Sequence, residues 1–188
     1  MKLLVHSSIL AGFLFTWYLD YYYMPPEVLL IKNQPLSKLG WLTMVGVTLQ
    51  TVYHFVGVFF ALFGNQNSSR HFHFIGQALL GPLGVGVAIL FWGLWMFDEQ
   101  TLAKDAITTK LMQNPVWNHG LHTLPAISSF LDVIIYRRPN LAFSRAFKPI
   151  LAFTLFYIAD VYLIHYLSGN WAYPILGDLG SVGRIAFY

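Results

Sequence analysis

The sequence contains no cysteine and carries few charged residues for its length. Without cysteine, the chain forms no disulfide bond, no thiolate metal site and no cysteine nucleophile. Only 10% of its 188 residues are Asp, Glu, Lys or Arg, whereas a soluble globular domain carries about 25%. This shortage of charge argues against a soluble domain and places the chain among membrane proteins.

Several common catalytic and binding motifs are missing as well. The chain has no HExxH pair for zinc, no Walker or dinucleotide glycine pattern, and no Gly-x-Ser-x-Gly elbow. An ordinary α/β-hydrolase is therefore excluded. The net charge of +3 comes from basic residues scattered through loops, which is not how a nucleic-acid-binding surface is built. We expect no nucleic-acid partner and no cofactor.

What the chain has in abundance is long apolar runs. Hydrophobic residues make up 56% of it, aromatic residues 18%, and the mean hydropathy is +0.56. A helix needs about 20 apolar residues to cross a bilayer. Five runs exceed that length: 3–23, 39–63, 72–97, 115–136 and 146–167. A sixth run is expected to begin at about residue 184. We predict an all-α, polytopic helical bundle that forms one membrane domain over residues 1–188, with a kink at Pro82 in the third span.

The charges of the loops indicate how the bundle is oriented. The first span follows Met1-Lys2 without a small-residue cleavage site, so we expect it to be retained. Basic residues favour the cytoplasmic side. On the side of the N-terminus the loops hold basic residues and no acidic ones: Lys2, Arg70, Arg137, Arg138, Arg145 and Lys148. The loops of the other side hold basic residues mixed with acidic ones: Lys32, Lys38, Lys104, Lys110 and Arg184 are the basic residues there. We predict a multi-pass protein of the endoplasmic reticulum or plasma membrane, with its N-terminus in the cytoplasm.

Two histidines stand where the fourth span begins. His119 and His122 follow Asn118, and an ionisable side chain in a membrane segment is by default a functional hypothesis. Side chains three apart on a helix can face one metal ion, but zinc sites usually have a third protein ligand. We therefore expect no metal site. His119 lies nearer the water and is interpreted as a supporting neighbour of His122.

Other polar residues are predicted at a similar depth. Thr43 lies about four residues into its span and His122 about seven, which places them roughly 6 and 10 Å below the non-cytoplasmic interface. The first and fifth spans leave on the same side, with Asp20 and Asp160 near their ends. A hydroxyl, an imidazole and carboxylates in one layer are the parts of a hydrolase.

Each of these residues has a catalytic and a structural interpretation. Histidine has an unperturbed pKa of about 6.5 and can take a hydroxyl proton near neutral pH, so His122 is a candidate base for Thr43. Asp20 or Asp160 could orient that base, and Asn118 could donate to an oxyanion. The structural interpretation makes Thr43 a hydroxyl at a helix interface and Asp160 an interhelical contact.

Three sequence blocks together form a specific pattern. They are Trp-Asn-His-Gly-Leu-His-Thr at 117–123, Trp-Leu-Thr with Leu-Gln-Thr-Val-Tyr at 41–43 and 49–53, and Ser-Gly-Asn-Trp-Ala-Tyr-Pro with Gly-Arg-Ile-Ala-Phe at 168–174 and 183–187. They resemble blocks of the androgen-induced gene 1 and androgen-dependent TFPI-regulating protein family: a WLNHGMHT-like signature, a motif around a second-span threonine, and TGxWxYP followed by GARIxFF. Outside that resemblance, Trp171 and Tyr173 are expected as interfacial anchors.

This resemblance implies a function. The family consists of multi-span membrane proteins that hydrolyse fatty acid esters of hydroxy fatty acids. By resemblance, Thr43 is the nucleophile, His122 is its base, and the partner is a branched lipid ester in the bilayer. The first loop and the cytoplasmic turns differ from the family pattern, so substrate range and regulation do not transfer.

Two other function classes stand beside this hypothesis. A non-catalytic membrane protein that binds lipid or regulates a partner would use Thr43 and His122 only for helix packing. Hydrogen-bond reach between them inside a cavity open to lipid would favour the enzyme, and positions on unrelated faces would favour the binding protein. A small transporter or channel would need a polar path across the whole membrane.

Overall fold

The computed structural model of the chain describes residues 1–64, 69–103, 105–136 and 141–187. Every regular element among these residues is helical. Four helices are long and apolar enough to cross a bilayer, and a fifth is shorter: Lys2–Tyr23, Leu42–Phe63, Arg70–Phe97 and Phe143–Ser168, with Leu124–Tyr136. The predicted all-α architecture of an integral membrane protein is confirmed.

Ten α-helices follow one another along the described residues. They are α1 (Lys2–Tyr23), α2 (Leu42–Phe63), α3 (Ser69–Ile75), α4 (Gly81–Phe97), α5 (Ala106–Met112), α6 (Pro115–His122), α7 (Leu124–Tyr136), α8 (Phe143–Ser168), α9 (Pro174–Asp178) and α10 (Ser181–Phe187). The expected sixth span corresponds in position to the short α10. Three of the residues behind the predicted orientation, Lys104, Arg137 and Arg138, lie outside the described part of the chain, and that orientation stays a prediction.

The third span changes its hydrogen-bonding pattern just before Pro82. A π-helical turn, Gly76–Leu80, separates α3 from α4, and the N–H of Gly81 donates to the carbonyl of Gly76. Proline has no N–H, and its ring clashes with the carbonyl four residues earlier, so a regular helix cannot continue through it undisturbed. The distortion expected at Pro82 takes the form of this π turn.

The fourth predicted span is two helices rather than one. α6 ends at His122 and α7 begins at Leu124, with Thr123 between them. Pro125 explains the break, because it cannot bond to the carbonyl of Leu121 and its ring pushes that turn out of regular geometry. As a result, His122 lies at the end of a helix.

The centre of the bundle is the long contact between α1 and α2. Buried residues of α1 recur at intervals of three and four, so they form one face of the helix: His6, Ile9, Phe13, Thr16, Leu19 and Asp20. The apolar members pack with Met44 and Val47 of α2 and with Trp117 and Leu121 of α6. The start of α2 and the whole of α6 are therefore held by one core.

A buried polar network joins α1, α2 and α7 toward the N-terminal end of α1. His6 Nδ1 and His54 Nδ1 lie 2.8 Å apart, and His6 Nε2 lies 2.7 Å from the hydroxyl of Tyr136. The hydroxyl of Ser128 donates to the side-chain oxygen of Gln50. Buried polar groups strongly favour the arrangement that satisfies them, so this network fixes how the three helices meet.

We predict that Gly57→Ala destabilises the bundle. A Cβ at Gly57 would lie 2.5 Å from Nδ1 of the buried His6 ring, and overpacking of this kind costs about 1–3 kcal/mol. Thermal unfolding in detergent micelles, followed by circular dichroism, should show a lower midpoint than for the wild type. Gly93→Ala is the matched control, since a Cβ there meets nothing within 4 Å. Equal midpoints for the two variants would contradict this packing.

Candidate active site

Thr43 lies in the first turn of α2, where hydrogen bonds join the backbone and Trp41 to the loop that follows α8. The N–H of Leu42 donates to the hydroxyl of Tyr173 over 2.9 Å, and the indole N–H of Trp41 donates to the carbonyl of Ala172 over 2.7 Å. Thr43 itself is only 9% exposed. The segment after α8 therefore covers the start of α2 and fixes the surroundings of the threonine.

The hydroxyl of Tyr173 contacts Thr43 directly. Burial raises the pKa of the Tyr173 phenol, and hydrogen bonds to the side chains of Tyr157 and Thr43 and to the backbone of Leu42 and Thr43 lower it in part. The phenol oxygen accepts from N–H groups that have no partner inside their own helix. From the sequence, Tyr173 was interpreted only as an interfacial anchor; its place in the third family block was the one signal of a larger role.

His122 is buried with one ring nitrogen already bonded. Its Nδ1 lies 2.6 Å from Asn118 Oδ1 and 3.0 Å from the Asn118 carbonyl oxygen. Both oxygens are acceptors, so Nδ1 carries the proton and Nε2 keeps its lone pair in the neutral ring. Phe91 stacks on the imidazole with 3.4 Å between the ring centroids. The ring is thereby held in one plane with Nε2 available as a base.

Asn118 orients His122 because the two residues lie one helical turn apart on the same face of α6. Its Nδ2 donates to the carbonyl of Met112 over 2.9 Å, which turns the amide oxygen toward the imidazole. The helix begins just upstream, where the side chain of Asn114 accepts from the N–H groups of Val116 and Trp117. The oxyanion role expected for Asn118 differs from this geometry, in which the amide positions the histidine.

His119 faces different neighbours from His122. Its side chain is exposed and packs against Trp92, with ring centroids 5.0 Å apart, while Nδ1 lies 2.9 Å from the hydroxyl of Thr123. Within the described residues, no three potential ligand side chains come together at a metal-binding distance. The two histidines are thus separated by packing.

The two carboxylates proposed to support the base lie elsewhere. Asp20 is 1% exposed and accepts from Lys38 Nζ over 2.5 Å, which ties α1 to the turn before α2. Asp160 is half-buried on α8. Neither residue lines the cavities that reach Thr43.

Two cavities meet at Thr43. One, of about 220 Å³, lies between α2, α4 and α8 and has almost entirely apolar walls. The other, of about 460 Å³, lies beneath the loops and includes His122 with the acidic residues Glu27 and Asp105. Four residues border both cavities: Thr43, Phe91, Leu102 and Tyr173. Thr43 thus borders both an almost entirely apolar cavity and a second cavity whose walls include ionisable side chains.

Thr43 and His122 share the second cavity without a direct bond. Across the described ranges, no hydrogen bond joins the two side chains. The bond between a nucleophile and its base is often long in an unliganded enzyme and shortens when substrate binds. The two side chains share a cavity, but hydrogen-bond reach inside a cavity open to lipid, the criterion set out above, stays a prediction for the bound state.

The helices and this site define a polytopic integral membrane protein in which a buried hydroxyl and a buried imidazole line one cavity. The profile of the FAR-17a/AIG1-like protein family matches residues 1–188. The chain belongs to that family, and the resemblance found in its three sequence blocks is confirmed.

Several curated proteins are similar to the chain. It is 29% identical over 167 residues to the human androgen-induced gene 1 protein, covering 79% of this chain and 67% of that protein. It is 21% identical over 186 residues to the human androgen-dependent TFPI-regulating protein, and the match covers 92% of this chain and 80% of that protein. A UPF0641 membrane protein of Schizosaccharomyces pombe is 22% identical over 153 residues, covering 81% and 67%. No solved structure matches the chain.

We predict that neutral His122 carries its proton on Nδ1. The two oxygens of Asn118 accept from that nitrogen, and the tautomer follows from the bond that the ring makes. ¹⁵N NMR of histidine-labelled protein, with the signal assigned by its loss in His122→Gln, should show protonated Nδ1 and unprotonated Nε2. Asn118→Ala should shift this signal toward a mixture of tautomers. A wild-type His122 protonated on Nε2 would overturn the assignment.

Proposed function

We propose that the protein is a membrane-embedded, threonine-dependent hydrolase of lipid esters. The observation that carries the proposal is that Thr43 and His122 line one cavity, with Asn118 holding the imidazole so that Nε2 is a base. The family resemblance of the sequence blocks suggests fatty acid esters of hydroxy fatty acids as substrates. A carboxylic ester hydrolase of this kind needs only its own side chains and water.

In the first half of the reaction, the acyl group moves to the threonine. His122 Nε2 takes the proton of the Thr43 hydroxyl while Oγ1 forms a bond to the ester carbonyl carbon. The carbonyl oxygen becomes negatively charged in the tetrahedral intermediate. The bond from that carbon to the alcohol oxygen then breaks, and Nε2 gives its proton to the departing alkoxide.

In the second half, water completes the hydrolysis. A water molecule in the cavity that His122 lines attacks the acyl-threonine carbon, and His122 Nε2 takes its proton. The bond to Oγ1 breaks, the proton returns to Thr43, and the fatty acid is released. Because Thr43 borders both cavities, the acyl chain and the water can approach the same carbon from different sides.

Negative charge on the carbonyl oxygen needs donors close to Thr43. The N-terminus of a helix carries partial positive charge, and Thr43 lies in the first turn of α2, where the N–H of Leu42 already donates to the Tyr173 oxygen. The Tyr173 hydroxyl is next to it. We assign stabilisation of the oxyanion to this end of α2 and to Tyr173.

We predict that Thr43→Ala and His122→Ala each lower ester turnover by at least about 100-fold, since nucleophile and base act as one unit. Turnover of a fatty acid ester of hydroxystearic acid by purified protein is the measurement. Thr48→Ala is the matched control, because its hydroxyl bonds to Met44 O within α2 over 2.6 Å and lines neither cavity.

A fluorophosphonate probe separates this proposal from non-catalytic lipid binding. The probe should label wild type and Thr48→Ala but not Thr43→Ala. Wild-type turnover of the ester by Thr43→Ala or His122→Ala would contradict the mechanism. A wild-type protein that neither turns over esters nor takes the probe would instead point to a lipid-binding or regulatory protein.

A further inference from the structure

The apolar cavity fills a gap between α4 and α8. The main contacts of α8 within the described structure are with the π turn Gly76–Leu80 and with the turn Pro35–Gly40, which lie toward opposite ends of the helix. Between these two supports, residues from both helices face the cavity: Leu83, Val87 and Leu90 from α4, and Ile150, Phe153 and Thr154 from α8. The two helices are therefore held apart along a slot that begins at Thr43.

The slot is long enough for a long acyl chain. On the α4 side its lining extends from Phe91, at the level of Thr43, down to Leu79, and twelve residues of helix correspond to about 18 Å. The hydrocarbon core of a bilayer is about 30 Å thick, so the acyl chains of one leaflet reach about 15 Å. A chain that starts at Thr43 can run down the slot in an extended form.

The slot is also open to the bilayer along its side. Leu90 lines it and is 46% exposed, and Pro82, deeper along α4, lines it and is exposed as well. In a membrane-spanning bundle these surfaces face hydrocarbon. An acyl chain can therefore enter sideways from the bilayer without passing through water.

Gly86 is a position on the α4 wall of the slot where a side chain would have room. A Cβ added there meets no atom within 4 Å, although the residue lines the slot. It lies five residues below Phe91, or about 7.5 Å along α4, and Phe91 marks the level of Thr43 and His122. A larger side chain at Gly86 would fill the slot below the reacting carbon and leave Thr43 untouched.

We propose that the slot between α4 and α8 binds the acyl chain of the ester substrate, and that the absence of a side chain at Gly86 is what admits long chains. This inference rests on the proposed hydrolase function, because it makes the slot part of the site at Thr43. Its continuity with Thr43 and its opening to the bilayer select an acyl chain as the occupant.

The first test compares two leucine substitutions on α4. Purified wild type, Gly86→Leu and Gly93→Leu are assayed with hydroxystearic acid esterified by a butyryl or by a palmitoyl group. Gly86→Leu should lower kcat/KM for the palmitoyl ester at least about tenfold, equivalent to about 1.4 kcal/mol, and leave the butyryl ester within about twofold. Gly93→Leu adds the same side chain at an open position that lines neither cavity, and should change neither.

A second variant approaches the slot from its other wall. Ile150→Trp enlarges a residue deeper along the slot, on α8. It should also lower kcat/KM for the palmitoyl ester and leave kcat/KM for the butyryl ester unchanged. Activity on the butyryl ester shows that each variant is folded. Equal losses on both esters, or a palmitoyl activity like that of the wild type in both slot variants, would overturn the acyl-chain site.

The second test does not depend on turnover. A palmitic acid that carries a diazirine on its chain is crosslinked to Thr43→Ala protein, and the labelled peptides are identified by mass spectrometry. Labels should fall on α4 and α8 and decrease at least about tenfold when Gly86→Leu is added. If the wild type hydrolyses neither ester, the proposed function fails, and the crosslinking result alone then shows whether the slot binds an acyl chain. Labelling of the slot that Gly86→Leu leaves unchanged identifies the occupant as ordinary bilayer lipid and overturns the proposal.

Discussion

The hydrogen bond from His122 Nδ1 to Asn118 Oδ1, 2.6 Å long, is the interaction on which the rest of the site depends. It decides which ring nitrogen holds the proton and therefore which one faces the cavity as a base. Its geometry comes from the helix, because residues four apart lie on one face. The same face brings Trp117 and Leu121 into the core with α1 and α2. Local helix geometry and core packing thus place the imidazole in the wall of the cavity that Thr43 also lines.

The Thr43 side of the site has a different origin, since it needs two segments that are far apart in the sequence to meet. Thr43 begins a helix near the N-terminus, and the residues that cover it follow α8 more than a hundred positions later. Loops of membrane proteins are commonly variable connections between spans. Here the loop after α8 contributes a phenol to the first turn of α2, so it belongs to the site as much as the helices do.

The spans were predictable because hydropathy over some twenty residues reports directly on burial in lipid. Placing Thr43 and His122 at similar depth followed from the same topology, and both line one cavity. The role of Asn118 and the contact of Tyr173 were missed, because they depend on side-chain direction and on how a loop folds back. Asp20 was assigned a supporting role for the same reason, since its depth gave no sign that Lys38 already holds it. The break at Thr123 needed the position of Pro125 to be weighed against an otherwise continuous apolar run.

Thr43 borders an apolar cavity and, beneath the loops, a second cavity that also contains His122 and two acidic residues. In the proposed hydrolase, the ester comes to Thr43 from the bilayer and the water from the aqueous phase. For an ester confined to the bilayer, the quantity that sets occupancy of the site is its mole fraction among the lipids, and the volume of the surrounding water has no bearing on it. Water, in contrast, is present at constant activity. If the protein is the proposed hydrolase, its rate follows the lipid composition of the membrane that holds it.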